Sequence, residues 1–342
     1  MMPADFGYIN ARIKGLKAKL LAPEFYSEAL SASDYKSFLA TLAQSPYMAE
    51  VEEASSRFEG LKIVDDALSR HFFNVARSMQ GFADGRAGKM IRLMLMRYDL
   101  NNLKSIARGK HAGKSAEEIT SKLIAAGELK PAILETIASA SDMAGVAQAM
   151  ALSSSPLKRA FSKAYAKYAS DGELYGLELT LDKEYFRLIK EGLQEAKAPA
   201  SFQRYIERQI DATNLRTALG ARGTGGNPAV NSDELFVPGG KEISRSLFSG
   251  ILGDGSSQAL QPLSSTSFAA VATSQNLTEA EAAIRSNLDK LSKSMASDAL
   301  GIGVATNYLS AKEAEIAKLR LLARGKYYGV SSDILSRELG NG

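Results

Sequence analysis

Tyr98-Asp99-Leu100-Asn101-Asn102-Leu103-Lys104-Ser105-Ile106-Ala107-Arg108-Gly109-Lys110 is the stretch on which the fold turns. Leu93, Met96, Leu100, Leu103 and Ala107 recur at spacings of three and four. That is the apolar seam of a helix packed against other helices. Arg108 and Lys110 suit the negative end of such a helix, and Gly109 reads as the left-handed residue that stops it. The core pattern Asp-x-x-Asn-Leu-(Lys/Arg) returns at Asp211 to Arg216, and in altered form at Glu315 to Arg320, where Leu319 keeps the leucine position. Asp211 lies 112 residues after Asp99, and Glu315 a further 104 after Asp211. A supersecondary unit of about a hundred residues therefore occurs three times.

A second element supports the repeat. Leu68-Ser69-Arg70, Leu181-Asp182-Lys183 and Leu288-Asp289-Lys290 precede the three motifs, and Phe72-Phe73 matches Tyr185-Phe186. The separations from Leu68 to Asn102, Leu181 to Asn214 and Leu288 to Lys318 are 34, 33 and 30 residues. No alternating strand pattern competes. The expected fold is all-α, with helical units at 1–113, 114–226 and 227–342 that pack as a solenoid or a closed ring. Helices are expected over 9–21, 61–80, 89–108, 157–168, 177–193, 201–219 and 306–324. Gly81, Gly85 and Gly88 read as a loop, and 220–228 as a glycine-rich exit. Residues 250–267 read as a loop or broken helices. Ser31-x-x-Asp34, Ser115-x-x-Glu118 and Thr278-x-x-Glu281 read as helix starts.

The chain has 342 residues, 45% of them hydrophobic, which suffices for a real core. It has no cysteine, which rules out disulfides and thiolate metal sites. The N-terminus lacks the apolar core of a signal peptide, and no apolar run reaches the roughly 18 residues of a membrane span. A soluble or peripheral protein is expected. The net charge of +4 is spread rather than gathered in a stripe, unlike most nucleic-acid binders. A mixed solvated surface is the first reading, and an acidic partner or an anionic membrane surface the alternative. The basic amphipathic segment around Arg12 and Lys14 fits either a terminal bundle helix or a membrane-surface helix.

Little points to catalysis. Gly109-Lys110-His111-Ala112-Gly113-Lys114-Ser115 imitates a phosphate loop, but its first glycine is one residue too close and a helix precedes it. The two histidines, His71 and His111, have no carboxylates at ligand spacing. No Gly-x-Ser-x-Gly elbow is present. No metal, cofactor or catalytic residue is expected. Asp99, Asn102, Leu103, Asp211, Asn214, Leu215 and Leu319 read as packing residues. In that reading the asparagines bond neighbouring helices, the aspartates pair with cations a turn away, and Lys104 and Arg216 are solvated. Arg108, Lys110, Arg222, Arg324 and Lys326, with Arg12 and Lys14, read as candidates for partner contact. A ring of units could gather the basic ends on one rim.

Residues 8–21, 97–110 and 210–216 together resemble the C subunit of the prokaryotic V-type (A-type) ATPase, to which the d subunit of eukaryotic V-ATPases is related. The resemblance runs from about Tyr8 to Gly329 and is weakest between Gly220 and Thr278. It implies three similar helical domains about a pseudo-threefold axis, shaped as a funnel. It implies a non-catalytic adapter of the central rotor, on the cytoplasmic side of the membrane. The expected partners are the membrane proteolipid ring and the central shaft made by subunits D and F. Nucleic acid is not an expected partner, and membrane association is indirect. The competing expectation is a soluble helical-repeat scaffold that binds an acidic peptide or nucleic acid.

Overall fold

The computed structural model describes residues 6–222 and 232–340, and every regular element among them is helical. Four short helices come first: α1 (Gly7–Lys17), α2 (Pro23–Ser31), α3 (Tyr35–Ala43) and α4 (Met48–Ser55). The long pair α5 (Leu61–Gly81) and α6 (Gly85–His111) follows. Next come α7 (Ala116–Thr120), α8 (Pro131–Ala138), α9 (Met143–Leu152) and α10 (Lys158–Asp171). A second long pair is α11 (Leu174–Glu195) and α12 (Ala200–Arg222). Then come α13 (Ser232–Leu235), α14 (Arg245–Gly253), a 3-10 helix (Ser257–Ser265) and α15 (Ala269–Ala272). The third long pair is α16 (Leu277–Met295) and α17 (Gly303–Tyr327), and α18 (Ser332–Gly340) ends the chain.

The long helices meet in three seams: α6 on α11, α12 on α16, and α17 on α5. Leu103, Leu215 and Leu319 are fully buried at these packing faces. One core runs from Phe6 to Leu339, and a second, smaller one joins α12 to the segment between Leu235 and Ile284. The chain ends meet, because α1 and α3 pack on α17, and α2 packs on α18.

Each motif fastens an irregular segment to its long helix through side chain to backbone bonds. Asp99 accepts from Glu128 N (2.7 Å) and Leu129 N (3.2 Å), while Asn102 donates to Ile124 O (2.7 Å) and accepts from its N–H (2.9 Å). Asp211 accepts from the amides of Lys241, Glu242 and Ile243, each at 3.0 Å. Asn214 donates to Val237 O and accepts from Val237 N, both at 2.8 Å. These four side chains are buried. A segment without regular structure must still satisfy its buried backbone groups, and the motif supplies the partners. The aspartates thus bond backbone amides rather than cations a turn away. The third motif differs: Glu315 accepts from Leu21 N (2.6 Å), from the Tyr47 hydroxyl (2.7 Å) and from the Lys312 ammonium (2.6 Å). Its backbone partner comes from the other end of the chain.

Several local expectations are corrected. Gly109 is helical, and α6 stops only at His111, with Gly113 in the left-handed region at φ 66°. Gly109 is small because the Ile119 side chain fills the place where a Cβ would stand. Gly81 ends α5, whereas Gly85 and Gly88 belong to the first turn of α6, so the loop is shorter than expected. The capping box Ser115-x-x-Glu118 is present with both bonds made. Helix α16 is capped by Asn276, which accepts from Glu279 N, rather than by Thr278. Asp34 is itself the cap of α3, accepting from Ser37 N. Residues 250–267 carry the end of α14 and the 3-10 helix. Most of the glycine-rich exit at 220–228 lies outside the described residues.

The third copy of the leucine element also moves. Helices α5 and α11 begin seven residues before Leu68 and Leu181, and α16 begins seven before Ile284, not Leu288. The separation from Ile284 to Lys318 is then 34 residues, in line with 34 and 33 for the other two motifs. Leu288 had taken its place because it lies one helical turn further along the same face.

Candidate functional site: a charged cavity between the long helices

An open cavity of ≈ 610 Å³ is walled by α6, α11, α12, α16 and α17. The same 3.6-residue periodicity that buries Leu103 and Leu215 turns the opposite faces of these helices inward to it. Five cations (Arg97, Lys104, Arg108, Arg216, Arg285) and four carboxylates (Glu178, Asp182, Glu281, Glu313) line it, among tyrosine and amide side chains. This is too polar for a site that takes a small apolar ligand.

Most of these charges are paired across a seam. Lys104 Nζ stands 2.8 Å from Asp182 Oδ2 and 4.0 Å from Glu178. Arg108 grips Glu178 with two parallel bonds of 2.5 and 2.6 Å. Arg216 grips Glu281 in the same way, at 2.8 and 2.9 Å. Lys104 is therefore a half-buried inter-helix clamp, and Arg216 is a clamp that remains exposed to solvent. At the third seam Arg320 and Arg324 both reach Asp65, at 3.3 and 3.2 Å, outside the cavity lining. In chain register these clamps match. The cation five residues after Asp99, Asp211 or Glu315 reaches the acid three residues before Leu181, Ile284 or Leu68.

Deeper in the cavity, Arg97 Nη2 lies 2.7 Å from Glu313 Oε1 and donates to the Tyr98 hydroxyl (2.9 Å), which in turn donates to Glu313. Burial works against the Arg97 charge, but Glu313 and Tyr98 outweigh it, so its pKa stands well above the ordinary value. Burial pushes the Tyr98 hydroxyl well up, so it stays a proton donor. Burial raises Asp182, against the pull of Lys104. The Glu178 carboxylate raises Arg108. Burial raises Asp99 to about 7 and raises Asp211, in each case against the backbone amides that favour the anion. No group of three or more His, Asp or Glu among the described residues stands close enough to hold a metal ion.

The basic residues singled out in the sequence differ in their local partners. Arg108 lines the cavity. Arg324 occupies the corresponding position of the third seam. Arg222 donates to Gly255 O (2.7 Å) and Ser256 O. Lys326 is buried, donating to Leu30 O (2.7 Å) and Ser332 Oγ (3.1 Å). Arg12 lies over the Phe82 ring at 4.7 Å. Lys14 and Lys110 have no polar partner among the described residues, and Lys14 is exposed.

Arg97, Glu178, Glu281 and Glu313 were missed as cavity residues, because their partners lie tens to hundreds of residues away, and Arg285 was missed because nothing in its own stretch of sequence marks it as facing a cavity. Asp182 was visible in the repeated Leu-Asp-Lys element, though not as the partner of Lys104.

The described residues contain no helix long and apolar enough to cross a membrane. The family model for the ATP synthase (C/AC39) subunit matches residues 9–338. The C subunit of the V-type ATP synthase of Deinococcus radiodurans is 36% identical over 339 residues, covering 99% of this chain and 92% of the relative. Its counterpart in Thermus thermophilus is 32% identical over 329 residues, 96% of each chain. The C subunit of the A-type ATP synthase of Haloferax volcanii is 25% identical over 347 residues, 97% of this chain and 96% of the relative. With nearly its whole length matched, the chain belongs to the ATP synthase (C/AC39) subunit family.

Proposed function

We propose that this chain is the non-catalytic adapter of the central rotor of a V-type/A-type rotary ATPase. It stands on the membrane proteolipid ring, on the cytoplasmic side, and receives the end of the shaft of subunits D and F in its cavity. Torque then passes through it between ion flow and ATP turnover. The units at 1–113, 114–226 and 227–342 are arranged in this reading about a pseudo-threefold axis, and the cavity lies along that axis.

The observation that carries the reading is the cavity wall itself. Five long helices form it, and carboxylate–cation clamps tie α6 to α11 and α12 to α16. An element that transmits torque must not yield between its parts, and close-packed helices cross-tied by bidentate pairs resist shear. A wall of paired charges suits a polar protein surface that enters and stays. Lys14 and Lys110, which have no polar partner among the described residues, and Arg12 are available to the ring or shaft.

The test is a proximity cross-link in the assembled complex. Gln209→Cys, on the cavity wall, is expected to link to the shaft, while Leu152→Cys, 90% exposed, is not. A complex that assembles yet links only from Leu152→Cys removes the cavity from the function. Failure of the chain to co-purify with both ring and shaft removes the adapter reading altogether.

A further inference from the structure

The three seams follow one rule, and the rule breaks at a single place that faces the cavity. One residue after Leu181 stands Asp182, which accepts from Lys104 at 2.9 Å. One residue after Leu68 stands Ser69, whose hydroxyl lies 3.4 Å from Arg320. In both seams this position offers an oxygen to the clamp cation of the facing helix. One residue after Ile284 stands Arg285. It cannot accept from Arg216, which is held by Glu281 alone.

Arg285 also has no way to neutralise itself. Its acidic neighbours one turn away on α16 are Glu281 and Asp289. Glu281 is taken in bidentate fashion by Arg216. Asp289 is held by Lys293 at 2.6 Å and accepts from Ser310 at 3.4 Å. Arg285 is exposed, lines the cavity and has no hydrogen-bond, ion-pair or ring partner among the described residues. Every other cation of the cavity lining is paired.

We propose that Arg285 is the anion-receiving point of the cavity, and that its occupant is a single Asp or Glu side chain on the protein segment that enters. This rests on the cavity being the shaft socket and adds the contact that fixes the inserted end. One unpaired guanidinium beside self-paired walls matches one carboxylate, which it can take with two parallel bonds. A polyanion such as nucleic acid needs several free cations in a row, and the lining offers one. The contact also breaks the equivalence of the units.

The test measures binding of the full chain to the purified D–F shaft pair from the same genome, at several salt concentrations. Arg285→Ala is expected to bind roughly tenfold more weakly, and Arg285→Asp more weakly still, each with a shallower salt dependence. Arg285→Asp restores an acceptor opposite Arg216, as in the Lys104–Asp182 seam, so its melting temperature is expected to be no lower than wild type. Unchanged affinity in both variants, with wild type binding normally, overturns the proposal and leaves the socket intact. Wild type that fails to bind the shaft at any salt overturns the socket, and this contact with it. A melting temperature lowered in Arg285→Asp makes Arg285 a structural residue and overturns the proposal. Arg285-dependent binding of single-stranded RNA, with shaft affinity unaffected, overturns the protein carboxylate as occupant.

Discussion

Asn214 gives the sharpest test of how a motif holds its unit. Its amide meets both the N–H and the C=O of Val237, each at 2.8 Å, and Asn214 and Val237 are both buried. Asn214→Ala strands one buried donor and one buried acceptor. Each such group costs about 1–3 kcal/mol, so the pair costs about 2–6 kcal/mol, with a small cavity added. Native-state hydrogen exchange reads this locally, because it reports the opening of the segment that carries the amide. At ~1.4 kcal/mol per tenfold change, the Val237 amide is expected to exchange at least about thirtyfold faster. Asn102→Ala removes the equivalent pair at Ile124, which is only part-buried. Water can replace the lost partners there, so its effect is expected to be smaller. A Val237 amide that exchanges within about fivefold of wild type would refute the view that the motif fastens the segment.

Other perturbations follow the same logic. Leu103→Ala and Leu215→Ala, at fully buried positions, are each expected to lower stability by about 2–5 kcal/mol in denaturant melts. Lys110→Glu is expected to leave the melting temperature unchanged, whereas Lys326→Glu lowers it by breaking the buried bond to Leu30 O. Asp99, raised by burial to about 7, holds a proton in the folded state that the unfolded chain releases near 4. Its contribution to stability is therefore largest below about pH 4 and falls, by up to ~1.4 kcal/mol per pH unit, as pH rises towards 7. Stability measured between pH 4 and 8 in wild type and Asp99→Asn checks this: the difference between them must slope over that window and level above it.

Periodicity in the sequence was enough for the long helices, since an apolar face at spacings of three and four is a local signal. The partners of the polar motif residues were not local. Asp99 looked like half of an intrahelical ion pair, but its acceptors face backbone amides about thirty residues on. A sign of this was present in the glycines. Gly127 and Gly240 follow Asp99 and Asp211 by 28 and 29 residues. A Cβ at either would collide with the aspartate side chain. Only glycine lets the backbone wrap the carboxylate that closely. The cavity was less legible still, because its charges are ordinary helix-surface residues in sequence. They become a site only when helices far apart in the chain face one another.

The third motif shows why a repeat drifts where the chain closes on itself. Asp99 and Asp211 fasten segments that follow them directly, whereas Glu315 fastens Leu21, 294 residues away. Closing a loop of that length costs about 2 kcal/mol more than closing one of thirty. The longer carboxylate at 315 answers with three strong partners, including a buried ammonium. Lys312 is 1% exposed and lies 4.4 Å from the Tyr47 ring centre. Burial lowers the Lys312 pKa, and Glu315 acts against that shift. Removing one partner of such a pair costs more than removing both, because the survivor is a buried unpaired charge. Glu315→Ala is therefore expected to destabilise by about 3–5 kcal/mol, and Lys312→Met with Glu315→Gln by clearly less. Exchange at the Leu21 amide must rise steeply in Glu315→Ala while that at Ile124, fastened by α6, stays near wild type. Equal losses in the single and double variants would mean that the pair is not what joins the two ends.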